Sequence, residues 1–384
     1  AAVGSKSIVL ADTANPKNGF ADTDYQRFAA RFDTLVYPLD VGNFGAPSDI
    51  DGNGKVAVLF TKEVNGLTPA NSNSFVGGFF FGRDLFPKTD PNPANACATS
   101  NEGEMFYMLV PDPAGAVNGN KHSLGFVDSL TTSVLSHEFQ HLINASRRLD
   151  TTSKALAFED KWLDEGLAHM AEELLYYRES GMQPRQNLDD AAIRVNSRAT
   201  YPLWKGDASS NFGRLLDYLE NPGGSSPMDS DDELATRGAA WMFLRYAADR
   251  TFPTDGNVWF RMVNSDQVGV LSVKAGLQTD PAPLFADWVL ANYLDDLGIS
   301  SDPRFVHKSW NYRDIFTKTF LNIPTYPLKT TALTDNLSLN VQVKGVSASY
   351  YRFAVATGKE ALLTFASGQG APNSAFKFTV IRTK

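Results

Sequence analysis

One five-residue pattern constrains this chain more than any other. His137-Glu138-Phe139-Gln140-His141 reads HExxH. If the segment is helical, its two histidines lie one turn apart on the same face. Both imidazoles can then bind one metal ion, while the carboxylate of Glu138 points toward water at that ion. The pattern therefore predicts a zinc site on a helix.

The residues around this pattern favour a helix. Neither Pro nor Gly interrupts residues 130–143, and Val134 and Leu135 provide apolar faces that can be buried. Asp128 or Ser129 is a suitable N-cap. The alternative is a surface helix that carries two solvated histidines, but this interpretation leaves the second motif of the chain unexplained.

A second motif offers a third metal ligand. It reads Trp162-Leu163-Asp164-Glu165-Gly166-Leu167-Ala168, within a helix predicted from about Phe158 to Arg178. A catalytic zinc ion takes three protein ligands and keeps a fourth position for water. Glu165 is the favoured third ligand. His169, four residues later on the same helical face, is either the alternative ligand, a substrate-binding imidazole or a polar core residue.

Together, the two motifs resemble the HExxH…WL[ND]EG[FL]A signature of the gluzincin metallopeptidases. Within that group the chain is similar to the secreted bacterial hyicolysin-type peptidases over roughly residues 40–300. The resemblance implies His137, His141 and Glu165 as zinc ligands and Glu138 as general base. It also implies a secreted endopeptidase that hydrolyses peptide bonds of protein or peptide substrates with a zinc-activated water.

Two positions depart from the pattern of related enzymes. Thermolysin-like relatives use an Asp to orient a zinc-bound His, and this chain has His169 at that place. Related aminopeptidases use a Tyr to stabilise the oxyanion, and this chain has Ala235 there. The remaining candidates for an oxyanion or substrate contact are His169, Arg237, Tyr218 and Tyr246.

Two other functions are weighed against an endopeptidase. A zinc aminopeptidase would share the metal site, but a Gly-x-Met-Glu-Asn type of segment, which binds a free amine, is missing before His137. A non-catalytic surface-binding protein on a zincin fold is the alternative of another class. The intact Glu138 argues against it, because that carboxylate is not needed merely to hold zinc.

Composition excludes several classes of protein. The 384 residues, 43% of them hydrophobic and 20% charged, are typical of a globular protein with a substantial core. The net charge of −8 and the lack of basic runs argue against nucleic acid as a partner. No apolar run approaches the roughly 20 residues that span a bilayer. Cys97 is the single cysteine, so no intrachain disulfide forms. We expect an extracellular monomer.

The pattern of elements predicts an α+β fold, a zincin-like catalytic unit with a small C-terminal domain. Residues 1–150 are predicted to form a β-rich subdomain that ends in the HExxH helix, and residues 151–320 a helical subdomain. Residues 321–384 alternate in hydropathy and predict a small antiparallel β-domain. This tail is interpreted as a structural appendage, with binding of cell wall or substrate as the alternative.

A second cation site is suggested near the N-terminus. Asp49-Ile50-Asp51-Gly52-Asn53-Gly54 has the start of a calcium loop, in which Asp49, Asp51 and Asn53 would supply oxygens. An EF-hand would require Glu at position 60, which is Phe60. A shorter Ca²⁺ loop and an ordinary Asp/Gly turn both remain open.

Overall fold

The N-terminal part of the chain combines one mixed sheet with helices, and the part that follows is mainly helical, so the predicted α+β class is confirmed. The computed structural model describes residues 1–151, 158–320, 323–367 and 374–383. Within these ranges, no helix is long and apolar enough to cross a membrane.

The N-terminal part contains five strands and four α-helices. These are β1 (Ala2–Val3), β2 (Ser7–Ala11), α1 (Asp22–Arg31), α2 (Tyr37–Phe44), β3 (Val56–Phe60), α3 (Lys62–Gly66), β4 (Gly78–Phe79), β5 (Met105–Met108) and α4 (Leu124–Ser146). A π-helical turn, Phe32–Val36, joins α1 to α2.

The next part is helical. Its α-helices are α5 (Lys161–Ser180), α6 (Asp190–Ile193), α7 (Thr200–Leu203), α8 (Ser209–Glu220), α9 (Leu234–Thr251), α10 (Val258–Val263), α11 (Val270–Leu277), α12 (Pro281–Leu294) and α13 (Tyr312–Asp314). Strands β6 (Thr330–Ala332) and β7 (Tyr350–Arg352) follow.

The first five strands form one mixed sheet in the order β1-β2-β3-β5-β4. Its inner pairs, β2 with β3 and β3 with β5, are parallel, while both outer strands are antiparallel to their neighbours. The apolar run of β3 suits a central strand, because a central parallel strand is covered on both faces. Strand β4 lies at the end of the sheet, and in the described part of the chain no further strand pairs with its outer edge.

Helix α4 packs beneath this sheet. The ring of Phe139, which lies inside the HExxH motif, sits 4.9 Å from the Phe32 ring and 5.4 Å from the Tyr37 ring. The N-cap is Ser123, whose Oγ accepts the N–H of Phe126, so the predicted cap at Asp128 or Ser129 is wrong. The helix begins more than a turn earlier than predicted, because Ser123 already supplies the extended backbone and the hydroxyl that a cap needs.

A buried ion cluster joins α5 to α9. The Arg245 guanidinium donates to Glu173 at 2.7 Å and to Asp255 at 2.7 Å, and Trp310 Nε1 donates to Glu173 at 2.5 Å. Buried charges of this kind are stable only when each finds a partner. The cluster therefore fixes α5 relative to α9.

The C-terminal tail differs from its prediction. Strands β6 and β7 pair in parallel, with Thr330 opposite Tyr350, so the predicted antiparallel arrangement is not confirmed. A hairpin turn can join only antiparallel strands. Residues 333–349 instead carry the chain back, so that β7 starts at the same end of the pair as β6. The boundaries of the three predicted domains stay a prediction.

Helix α8 approaches α9 so closely that a side chain at Gly238 would overlap the backbone of Arg214 and Leu215. We therefore expect Gly238→Ala to lower the free energy of unfolding by about 1–3 kcal/mol. The matched control is Gly213→Ala on α8, where a methyl group would make ordinary contact with Phe320 at 3.6 Å. Because alanine favours helices, this control should be neutral or stabilising. Urea denaturation checks both variants, and equal stability of the two would contradict the packing argument.

Candidate metal centre

Helices α4 and α5 bring the two motifs of the sequence together. The Nε2 atoms of His137 and His141 lie 3.1 Å apart. The Oε2 atom of Glu165 lies 3.6 Å from the first of these nitrogens and 3.8 Å from the second. All three side chains are buried. Three potential metal ligands thus converge on one point between the helices.

The other nitrogen of each imidazole contacts a carboxylate. His137 Nδ1 lies 2.8 Å from Glu172 Oε1, and His141 Nδ1 lies 2.8 Å from Asp164 Oδ2. These carboxylates favour a proton on Nδ1, which leaves the lone pair of each Nε2 directed at the other. Two lone pairs this close repel one another unless a proton or a metal ion stands between them. The donor set therefore fits a metal ion.

The distances also suit zinc. Nitrogen ligands bind zinc at about 2.0–2.1 Å in a tetrahedron, which separates two ligand atoms by about 3.3 Å. The observed separations of 3.1, 3.6 and 3.8 Å lie close to that value. Two imidazoles and one carboxylate, with carboxylates behind the imidazoles, make a set that zinc accepts.

The charges of the cluster favour a cation. Burial alone lowers the pKa of His137, but the carboxylates of Glu165 and Glu172 outweigh burial and raise that pKa to about 10. Burial opposes ionisation of Glu165 as well, yet His137, His141 and Arg237 hold the pKa of its carboxyl well below the usual range. The site therefore keeps its acidic groups charged and attracts positive charge.

Glu138 lies beside this cluster and beneath the edge of the sheet. A Cβ on Gly78 of β4 would lie 2.6 Å from its Oε1 atom, so only glycine lets the strand pass this closely. Burial raises the pKa of the Glu138 carboxyl, against the lowering effect of the two motif histidines. Its carboxylate thus lies near both the candidate metal ligands and the strand.

His169 lies directly behind the cluster. Its ring centroid is 4.8 Å from that of His137, its Nδ1 atom is 3.3 Å from Glu172 Oε2, and the residue is fully buried. Burial and the Arg214 guanidinium lower its pKa to about 3, so this imidazole is neutral. Potential ligand atoms of His137, His169 and Glu172 also lie within 4.8 Å of one another, so these three residues could hold a metal ion together. His169 therefore stays open as an alternative ligand.

Arg237 is the second predicted contact that the structure brings to the cluster. Its Nη1 atom lies 2.8 Å from Glu165 Oε2, and its Nε atom donates to Asp232 at 2.9 Å. Tyr246, nine positions later on α9, faces the other way, and its hydroxyl donates to the Arg304 carbonyl at 2.5 Å.

Tyr218 lies elsewhere as well, since its ring stacks on Trp288 at 5.5 Å. The structure therefore brings His169 and Arg237 to the metal ligands and does not bring Tyr246 or Tyr218 there.

Sequence reasoning missed the two carboxylates behind the histidines. Asp164 stands inside the second motif, and Glu172 follows Glu165 by seven positions, which is about two helical turns. The spacing that placed His169 on the ligand face of α5 also places Glu172 there. The sequence spacing could therefore have identified Glu172. This carboxylate contacts His137, which is the orienting role that an Asp at position 169 has in thermolysin-like relatives.

The suggested calcium loop gains a further carboxylate. Carboxylate oxygens of Asp49, Asp51 and the buried Glu104 lie within 4.8 Å of one another. Asn53 is drawn into the loop itself, because its Nδ2 donates to Asp51 at 2.5 Å and its Oδ1 accepts the Lys55 N–H at 2.6 Å. Such contacts are typical of an Asp/Gly turn with or without an ion. Calcium binding at this loop stays a prediction.

A sequence comparison relates this chain to a metalloprotease, as the two motifs of the site predicted. The chain is similar to "Neutral metalloprotease ShpI" of Staphylococcus hyicus, with 28% identity over 219 residues. The match covers 56% of this chain and 45% of that protein, so the chain spans less than half the length of this relative. No family model matches the chain. The similarity confirms the resemblance to metallopeptidases that the two motifs predicted.

We expect Glu172→Gln to weaken zinc affinity about 10- to 100-fold. An amide orients the His137 ring less firmly than a carboxylate does, and it makes the ring nitrogen a weaker electron-pair donor to zinc. Competition with a chromogenic zinc chelator measures this affinity without any substrate. His141→Ala should weaken binding more, since it removes a ligand. Glu220→Gln on exposed α8 surface is the control and should bind zinc as the wild type does. Unchanged affinity in Glu172→Gln would contradict the orienting role.

Proposed function

We propose that the chain is the catalytic part of a secreted, zinc-dependent endopeptidase of the gluzincin type. His137, His141 and Glu165 would hold the metal. The observation that carries this proposal is the pair of Nε2 atoms 3.1 Å apart, each on a ring whose Nδ1 contacts a carboxylate. The relative named as a metalloprotease supports the same conclusion. Recovery of the protein from the culture medium of its host would test secretion.

The chemistry divides between the metal and the chain. When bound, zinc supplies Lewis acidity to the scissile carbonyl and to the attacking water. Glu138 takes the proton of that water as general base and delivers it to the leaving amine as general acid. Its raised pKa suits both tasks, because burial brings the carboxyl closer to the pH at which it must accept and release a proton.

Strand β4 provides a place for the substrate backbone. Its outer edge is unpaired within the described residues, and Gly78 passes immediately over the Glu138 carboxylate. An extended peptide can add to such an edge through main-chain hydrogen bonds. A scissile bond on that peptide would then lie next to Glu138.

The carboxylates of the site favour an endopeptidase over an aminopeptidase. An aminopeptidase needs a free carboxylate to bind the substrate amine. Here Asp164 contacts His141, Glu172 contacts His137, and Glu165 contacts Arg237. These three carboxylates are engaged, so the site shows no acidic group among them for a free amine.

Glu138→Gln should lower kcat about 100- to 10,000-fold, because the amide cannot exchange the proton of the water. Zinc content should stay near one per chain, since the side chain is not among the proposed ligands. Hydrolysis of quenched casein, measured with chelator and after zinc is restored, checks activity, and elemental analysis checks the metal.

Glu63→Gln, on exposed surface of α3, is the matched control and should cleave casein at the wild-type rate. Retained activity in Glu138→Gln would refute the general-base role. Activity that is insensitive to chelation in the wild type would refute the metallopeptidase proposal as a whole.

Arg237 is the proposed donor to the oxyanion. Its guanidinium already lies 2.8 Å from Glu165 Oε2 and carries further N–H groups that can reach a neighbouring oxygen. Arg237→Lys keeps the charge but loses the planar fork, so kcat should fall about 10- to 100-fold with little change in KM.

The role of Arg237 is tested by the affinity of the enzyme for a phosphonamidate peptide, which mimics the tetrahedral transition state. Its affinity should fall in parallel with kcat/KM, while affinity for zinc changes only a few-fold. Full phosphonamidate affinity in Arg237→Lys would show that the residue merely supports Glu165.

A further inference from the structure

A cavity of about 360 Å³ lies at the start of α4, away from the metal ligands. It is lined by Phe75, Pro113, Lys121, His122, Ser123 and Phe126. The rings of Phe75 and Phe126 meet edge to face at 5.2 Å, and the His122 ring stacks near Phe126 at 6.0 Å. The cavity therefore has an aromatic wall that can cover the methylene groups of a side chain.

The polar groups of this cavity suit an anion. His122 is only 8% exposed, and in the described part of the chain its Nε2 atom has no hydrogen-bond partner. Lys121 is exposed. The first turn of the long helix α4 adds the positive end of its dipole.

The Asp112 carboxylate lies close enough to act on His122. Its oxygens accept the N–H groups of Ala116 and Val117 at 2.9 and 2.8 Å, so the backbone of that loop already supplies hydrogen bonds to this carboxylate, which keeps its charge. Burial lowers the pKa of His122 despite the raising effect of Asp112, which favours the neutral imidazole. The charge that attracts an anion comes from Lys121 and the helix terminus.

The position of the cavity relates it to the substrate edge. Phe75 precedes Gly78 of β4 by three residues, or about 10 Å of extended chain. Antiparallel pairing is the more stable arrangement for an added strand. A peptide that pairs antiparallel with β4 runs toward Phe75 in its C-terminal direction. Its residues about three to five positions beyond the scissile bond would reach the cavity.

We propose that this cavity is a distal subsite that binds a carboxylate of the substrate on the C-terminal side of the scissile bond. His122 donates a hydrogen bond, Lys121 supplies the ion pair, and Phe75 and Phe126 cover the apolar part. The carboxylate belongs to an acidic side chain or to the C-terminus of the peptide. This subsite rests on the proposed peptidase function.

A series of quenched fluorogenic peptides tests the subsite. All share one cleaved core and differ three to five residues after the bond, where they carry Glu or Gln, or end in a free or amidated carboxyl group. We expect kcat/KM to be about three- to tenfold higher for the peptides with a carboxylate. Lys121→Glu should abolish this ratio. Lys17→Glu, another exposed lysine, is the matched control and should keep it.

Comparison of the peptides shows whether the bound carboxylate belongs to an acidic side chain or to the C-terminus. A preference for Glu alone assigns the subsite to side chains, and a preference for the free carboxyl group alone assigns it to the C-terminus. Equal rates for all peptides, a ratio unchanged in Lys121→Glu, or a preference for Glu before the bond would each overturn the proposal.

A binding measurement keeps the subsite testable apart from catalysis. Zinc-loaded Glu138→Gln is titrated with the Glu and Gln peptides, each carrying a fluorescent label, and anisotropy reports affinity. The Glu peptide should bind about three- to tenfold more tightly, and Phe75→Ala should weaken both. If the wild type cleaves no peptide but this difference persists, only the peptidase proposal fails. If cleavage occurs without this difference, only the subsite fails.

Discussion

The shared face of α4 and α5 buries a cluster of ionisable side chains on which the candidate metal centre depends. His137 and His141 are spaced by one turn on α4, while Glu165 and Glu172 are spaced by two turns on α5. Because the two helices pack directly, each imidazole lies between a carboxylate at Nδ1 and a second nitrogen at Nε2. Neither helix could bury these groups alone, since an unpaired buried charge is strongly destabilising.

The support of this face extends away from the metal ligands. Glu172 contacts His137, and its chain neighbour Glu173 accepts from Arg245 and Trp310. Two successive carboxylates of α5 therefore serve different clusters, one at the metal ligands and one at the junction with α9. Rotation of α5 would break both sets of contacts together. The proposed metal ligands are therefore held in place partly by an ion cluster that does not contact them.

The local part of this architecture could be predicted from the sequence, because it depends on spacing along one helix. The HExxH helix and the helix of the second motif both lie where the motifs and their apolar periodicity indicated. The contacts that escaped prediction join distant segments. The approach of Glu104 to Asp49 is one, and the parallel pairing of Thr330 with Tyr350 is another. Hydropathy sets the face of a strand but not its partner.

The same limit explains the outcome for the oxyanion candidates. Arg237 and Tyr246 both lie on α9 and both carry suitable donors, so composition could not distinguish them. Nine positions on a helix are two and a half turns, which puts the two side chains on opposite faces. Only the packing of α9 against α5 decides which face meets Glu165.

The shortness of β4 has a consequence for how copies of this molecule meet in solution. An open sheet edge is a template on which a second sheet can grow, and long flat edges lead to aggregation. Here only Gly78 and Phe79 are paired with β5, and a 3₁₀ turn at Gly82–Leu85 soon bends the chain away. Two folded copies therefore offer too few main-chain hydrogen bonds at this edge to pair through it. We expect a longer β4 to hold peptides more tightly and, by the same hydrogen bonds, to make the molecule self-associate.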